Sequence, residues 1–199
     1  MHALARVLVQ RRSLHKMSLA LRAQVGSYNP RVRTRLFIIA ILNLIIGCSA
    51  EDKATLTGAR ADRVVVIKKE RTLTLMSQAR VLKTYKIALG RDPSGPKVRQ
   101  GDHRTPEGVY LLDRRNLNSR FHRSIHISYP ESKDRADAAR LGLAPGGDIM
   151  IHGLPNGLGW LGSWHRKMDW TDGCIAVTNE EMDEIWHAVP DGTPIEIKP

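Results

Sequence analysis

Thirty residues, from Ile149 to Thr178, constrain this chain more than any other stretch. They open with Ile149-Met150-Ile151-His152-Gly153 and pass through a loop rich in Gly and Trp. They close with Thr171-Asp172-Gly173-Cys174-Ile175-Ala176-Val177-Thr178. Both flanks are short apolar runs bounded by turn residues, the pattern of buried strands. A histidine closes the first strand, and a cysteine preceded by glycine opens the second. If the two strands are neighbours, the fold sets an imidazole beside a thiol, the minimum requirement for a thiolate nucleophile.

The rest of the chain from residue 62 reads as a frame for that pair. Arg63–Ile67 is a β-branched run and Lys68–Arg71 a charged turn. Thr72–Met76 and Val81–Leu89 alternate apolar and polar residues, which predicts an antiparallel meander with one buried face. Asp92–Arg104, rich in Pro, Gly and charge, is a loop, and Thr105-Pro106-Glu107-Gly108 is a turn leading into Val109–Leu112. Arg114–Arg123 reads as a basic loop: either a solvated segment or a rim, with Arg115 and His122, that holds carboxylates of an acidic peptide. In the strand Ser124–Tyr129, His126 alternates with Ile125 and Ile127 and has a structural place. Lys133–Leu141 is a short helix ended by Gly142.

Pro155–Asp169 carries Trp160 and Trp164 among glycines. It is either a flap that brings Trp164 to a substrate or a loop pinned to the core by its tryptophans. Thr178 and Glu181 form a capping box for a helix with Met182, Ile185, Trp186 and Val189 on one face, and Thr193–Ile197 is a closing strand. The sum is one mainly β domain over 62–199 with a few short helices.

Charge is uneven. Of the formal net charge of +11, eight positive charges and no acidic residues fall in residues 1–47, leaving +3 for residues 48–199. The basic balance therefore belongs to the N-terminal segment and is poor support for nucleic-acid binding. No Gly-rich phosphate loop is present either, and no cofactor is implied. Arg31–Arg35 followed by the apolar run Leu36–Ile46 fits a signal peptide, the run being too short to span a bilayer comfortably. It ends in Ile45-Ile46-Gly47-Cys48-Ser49, which resembles a bacterial lipoprotein processing site and implies lipidation at Cys48. Residues 48–61 then read as a polar tether. An uncleaved anchor or a plain secretory signal are the alternatives, and all three place the domain outside the cytoplasm. A lipidated Cys48 leaves Cys174 as a lone thiol in an oxidising compartment.

The motifs together resemble the active-site block of the L,D-transpeptidase (YkuD-type) family of cell-wall enzymes. His152-Gly153 match its upstream His-Gly, and Thr171, Gly173 and Cys174 match its Ser/Thr-His-Gly-Cys. Thr105, Pro106 and Gly108 match its Thr-Pro-x-Gly turn. Asp172 stands where the family more often has His, as in a subgroup carrying Asp-Gly-Cys-Ile-Ala-Val. The resemblance covers roughly residues 62–198 and implies an L,D-transpeptidase-type β-sandwich.

It further implies that Cys174 is the nucleophile and His152 its base, with the ring oriented by a carbonyl in the Gly153 region or by Asp172. The backbone N–H groups of Gly173 and Cys174 are candidate oxyanion donors. The implied substrate is a peptidoglycan tetrapeptide containing meso-diaminopimelate, attacked with release of D-alanine, and a carbapenem is an expected acylating agent. An amine acceptor gives transpeptidation. Water gives a carboxypeptidase or endopeptidase, or an amidase that detaches a wall-bound lipoprotein. Two other readings stay open: a zinc metallopeptidase built on His152, His165, Asp169, Asp172 and Cys174, and a non-enzymatic wall-binding lipoprotein. The first lacks the i, i+4 ligand spacing of helical zinc motifs.

Overall fold

The computed structural model describes Leu56 and residues 58–199. The leader, the Cys48 processing site and most of the tether lie outside the described residues. Eight strands make one sheet: β1 Arg63–Ile67, β2 Thr72–Ser77, β3 Arg80–Lys86, β4 Gly108–Asn116, β5 Ser124–Ile127, β6 Met150–His152, β7 Ile175–Ala176 and β8 Thr193–Lys198. Among the described residues three short helical segments accompany them: α1 Ser132–Arg140, a 3-10 segment Gly159–Lys167, and α2 Asn179–Ala188. The expected fold class, mainly β with a few short helices, is what is found.

Strand order is β3-β2-β1-β8-β4-β5-β6-β7. The meander β1-β2-β3 is antiparallel throughout, as the alternation predicts. Val64, Val66, Leu73 and Leu75 point inward with no measurable exposure. The last strand enters the middle of the sheet, parallel to β1 and antiparallel to β4. Beyond β3 the chain continues to the opposite edge, where Ala88 bridges Ala176 and Gly90 bridges Thr171. These bridges bring the chain just beyond β3 alongside β7 and so curl the sheet, while β3 itself pairs only with β2.

Helix α2 starts where its capping box requires, with Thr178 accepting from the Glu181 N–H and Glu181 accepting from the Thr178 N–H. Met182, Ile185 and Ala188 bury its apolar face against the sheet. One expectation needs correction. Arg114, Arg115 and Asn116 are not loop but the end of β4, which stays paired to β5 through a bulge. The charged turn Lys68–Arg71 forms where expected, and Lys68 has a structural part in it. Its ammonium is buried and donates to the carbonyls of Gly95 and Thr105 and to Glu107 at 2.6, 3.0 and 2.8 Å. With Lys97 donating to Asp102 at 2.7 Å, it ties down the 92–107 loop that runs under the β7 turn. Three contacts satisfy the Lys68 charge and two that of Lys97, which also donates to the Arg99 carbonyl at 3.1 Å, as a low-dielectric site demands.

Candidate active site

Strands β6 and β7 are parallel neighbours, with Ile151 opposite Ile175 and His152 opposite Ala176. Side chains alternate along a strand, so Cys174, one residue before β7, falls on the same face as His152. It lies two rungs away, roughly 7 Å along the strand direction. Both side chains line one cavity of about 500 Å³, together with Asn116, Phe121, Met150 and Asp172.

His152 is buried at 2 % exposure, and its Nδ1 lies 2.6 Å from the carbonyl oxygen of Gly153. A carbonyl only accepts, so Nδ1 carries the proton and Nε2 keeps its lone pair. Phe121 stacks on the ring at 4.1 Å and Trp170 meets it edge-on at 5.8 Å. Gly153 has no room for a side chain: a Cβ would sit 2.8 Å from both the His122 carbonyl oxygen and Asn179 Oδ1.

The turn before Cys174 is stapled by Thr171, whose hydroxyl donates to the Cys174 carbonyl at 2.7 Å and accepts from the Gly173 N–H at 3.2 Å. That N–H, one of the two expected oxyanion donors, is therefore already engaged in this structure. Gly173 adopts φ +126° with its Cα against the Arg104 carbonyl, a conformation suited to glycine. The thiol lies 3.6 Å from the Asp148 carbonyl.

Burial pushes the Cys174 thiol above its ordinary pKa, with Asp172 and Asp148 adding to the rise; the Met150 N–H and Lys97 oppose it. Burial also pushes the His152 imidazole down to about 4, against the Gly153 hydrogen bond. Both shifts favour a neutral thiol beside a neutral imidazole over a standing ion pair.

Asp172 does not reach His152. Its carboxylate accepts from Arg91 and lies 2.9 Å from His103 Nδ1, and the Arg91 contact holds it ionised below the usual carboxylate range. Arg115 turns away from the cavity to Asp191 and to the carbonyls of Trp186 and Val189, closing the end of α2. His122 Nε2 pairs with Asp183 at 2.7 Å. Trp160 and Trp164 are 78 % and 72 % exposed, so they do not pin their loop to the core. Trp164 lines a separate apolar pocket with Leu154, Leu161 and Met168. Asp169 pairs with Arg71. Among the described residues no three His, Cys, Asp or Glu side chains converge as metal ligands. Sequence reasoning missed Phe121, Trp170, Arg91 and His103. Arg91 and His103 come from a loop distant in sequence and Phe121 from the basic loop; Trp170 adjoins Thr171, but nothing local marks it as a contact of the His152 ring.

The buried histidines make a measurable prediction. An unfolded imidazole titrates near 6.5, whereas His152 and His165 both stay neutral down to about 4. Between those values the unfolded chain binds more protons, so stability is full above about 6.5 and falls as pH drops toward 4. His152 alone accounts for roughly 2 kcal/mol lost between pH 7 and 4.5. Urea midpoints measured across that range should fall, and a flat profile would contradict the burial of these rings as neutral species.

Fold and site together describe a mainly β domain that presents a thiol and an imidazole in one cleft. The chain belongs to the L,D-transpeptidase catalytic-domain family of the YkuD type, whose sequence model matches residues 61–197. It is 35 % identical over 147 residues to YafK of Escherichia coli strain K12, provisionally named an L,D-transpeptidase, covering 71 % of this chain and 52 % of that protein. The YafK protein of E. coli O157:H7 matches equally. The chain thus spans about half the length of the curated relatives it matches. Among solved structures, the helical cell shape determining protein Pgp2 of Campylobacter jejuni shares the fold. Its TM-score is 0.54 at 24 % identity, covering 69 % of this chain and 48 % of that one.

Proposed function

We propose that this domain performs cysteine-dependent acyl transfer on peptidoglycan stem peptides. The observation that carries the reading is the tautomer of His152. With Nδ1 bound to the Gly153 carbonyl, Nε2 is a base on the wall of the cavity that Cys174 also lines. In this reading Nε2 takes the thiol proton as Sγ attacks the carbonyl that follows meso-diaminopimelate in a tetrapeptide. A thioester forms, and D-alanine leaves as the amine, carrying off the proton that His152 returns. The neutral resting pair suits this route, because proton transfer and attack are then coupled and no buried ion pair must be kept.

An amine from a second stem peptide yields a cross-link, and water yields a shortened stem or a detached lipoprotein. The sequence of the N-terminal segment supports a periplasmic location with membrane attachment at Cys48. The family's cell-wall chemistry, with the cell-shape role in the name of Pgp2, supports a part in wall remodelling.

The test is incubation of the full chain with purified muropeptides and mass spectrometry of the products, for the native protein and Cys174→Ala. Product formation should fall at least about a thousandfold in the variant, since a covalent route has no substitute nucleophile. Cross-linked dimers, shortened stems or released lipoprotein fragments each identify the acceptor. Identical product profiles for the two proteins would end the enzymatic reading.

A further inference from the structure

Beside the thiol lies a second group of chemistry-bearing side chains. Asp172 accepts from Arg91, and the same Oδ1 oxygen lies 2.9 Å from His103 Nδ1. Nδ1 of His103 lies closer to that carboxylate, which can only accept, than to Arg91 Nη2 at 3.3 Å, so Nδ1 carries the proton and Nε2 is left as a base. The Gly153 carbonyl imposes the same tautomer on His152. The backbone of His103 is held as well. Its carbonyl accepts from the Asp92 N–H at 3.2 Å. That carbonyl also abuts Gly90, where a Cβ would come 2.1 Å from the His103 oxygen and 3.0 Å from Gly173 Cα. His103, Gly90 and Gly173 are thus successive layers, and Cys174 is the next residue.

Asp172 lines the cavity that holds the thiol, whereas His103 lines a second, polar basin of about 390 Å³ with Asp92, Arg99 and Arg104. The His103–Asp172 pair is therefore the divide between two basins. Stability does not account for it. Arg91 and Asp172 are 54 % and 76 % exposed, and such pairs contribute under about 1 kcal/mol. Nor is it duplicated by His152, which is buried between Phe121 and Trp170, while the His103 side chain is 42 % exposed.

We infer that His103, oriented by Asp172, takes the proton from the nucleophile that attacks the Cys174 acyl-thioester, and that this nucleophile enters from the second basin. The inference rests on the thioester reading above. The nucleophile, an amine or water, forms its bond to the acyl carbon as the C–S bond breaks. The electron pair of that bond stays on Sγ, the nucleophile's proton passes to His103 Nε2, and solvent then carries it from the imidazolium to the thiolate. Asp172 acts here as a positioning residue that fixes the tautomer and stabilises the imidazolium.

The test follows the full chain reacting with a tetrapeptide donor, by intact mass and by product. His103→Ala and His103→Gln should accumulate acylated Cys174, with turnover lowered about a hundredfold and acylation kept within about threefold. Free imidazole should restore turnover in His103→Ala at least about tenfold, which a merely structural residue would not allow. Gln keeps a donor toward Asp172, so its result stands even if the Ala variant melts. Turnover near the native rate in both variants, or equal loss of acylation and turnover with no adduct, overturns the inference. A native protein that consumes donor without ever forming the adduct would instead remove the thioester reading itself.

Discussion

His152→Gln should slow acylation of Cys174 by about 10²- to 10⁴-fold, the range a general base supplies. Gln preserves the size and the donor toward the Gly153 carbonyl, so the loss isolates proton transfer from packing. The pH profile makes the expectation sharper. The native imidazole stays neutral down to about 4, so acylation should persist on the acid side well below the ordinary histidine range. Above the acid limb the rate should be level up to a thiol pKa above the ordinary value, because the neutral pair is the reacting form. In His152→Gln a rate that rises with pH should replace the plateau, because hydroxide or solvent must then remove the proton. A carbapenem gives a convenient adduct to follow by intact mass. An acid limb near 6.5 in the native protein would mean that the imidazole is not held neutral, and a variant as fast as the native protein would remove it as the base.

How much of this was legible in the sequence differs by level. The strands of the meander, the capping box of α2 and the closing strand each rest on local periodicity or cap chemistry, and all appear in the fold. The His152 and Cys174 strands were legible as elements, whereas their adjacency stood only as a condition until the parallel pairing of β6 and β7 met it. What sequence could not give was partnership. Asp172 is two residues from Cys174, yet its carboxylate is satisfied by Arg91 and His103, from a loop distant in sequence that only the curling of the sheet brings near. Arg115 looked like a substrate contact because a basic run reads as solvated. Only the return of the chain after α2 shows that it caps carbonyls there. The burial of Lys68 was hidden for the same reason, since a lysine in a turn gives no local sign that three acceptors surround it.

The same long-range closure makes one glycine critical. Gly90→Ala should lower the melting temperature on the order of 10 °C and disable the site as well. The added Cβ would meet the His103 carbonyl oxygen at 2.1 Å, its carbon at 2.9 Å and Gly173 Cα at 3.0 Å, and all three are backbone atoms that cannot swing aside. Overpacking of this kind costs roughly 1–3 kcal/mol or more, which for a domain of this size is several degrees per kcal/mol. Relief requires the His103 loop and the Cys174 turn to part. A displacement of about 1 Å at a nucleophile costs on the order of a hundredfold in rate. Gly147→Ala is the control. Its nearest neighbour would be Pro130 Cδ at 3.7 Å, an ordinary contact, and its melting temperature should stay close to native. Thermal unfolding of both variants, with the acylation rate of Cys174 measured below the transition, separates the two effects. If Gly90→Ala melts and reacts as Gly147→Ala does, the chain beyond β3 is not held alongside the β7 turn at Gly90 and the layered packing beside the thiol is wrong.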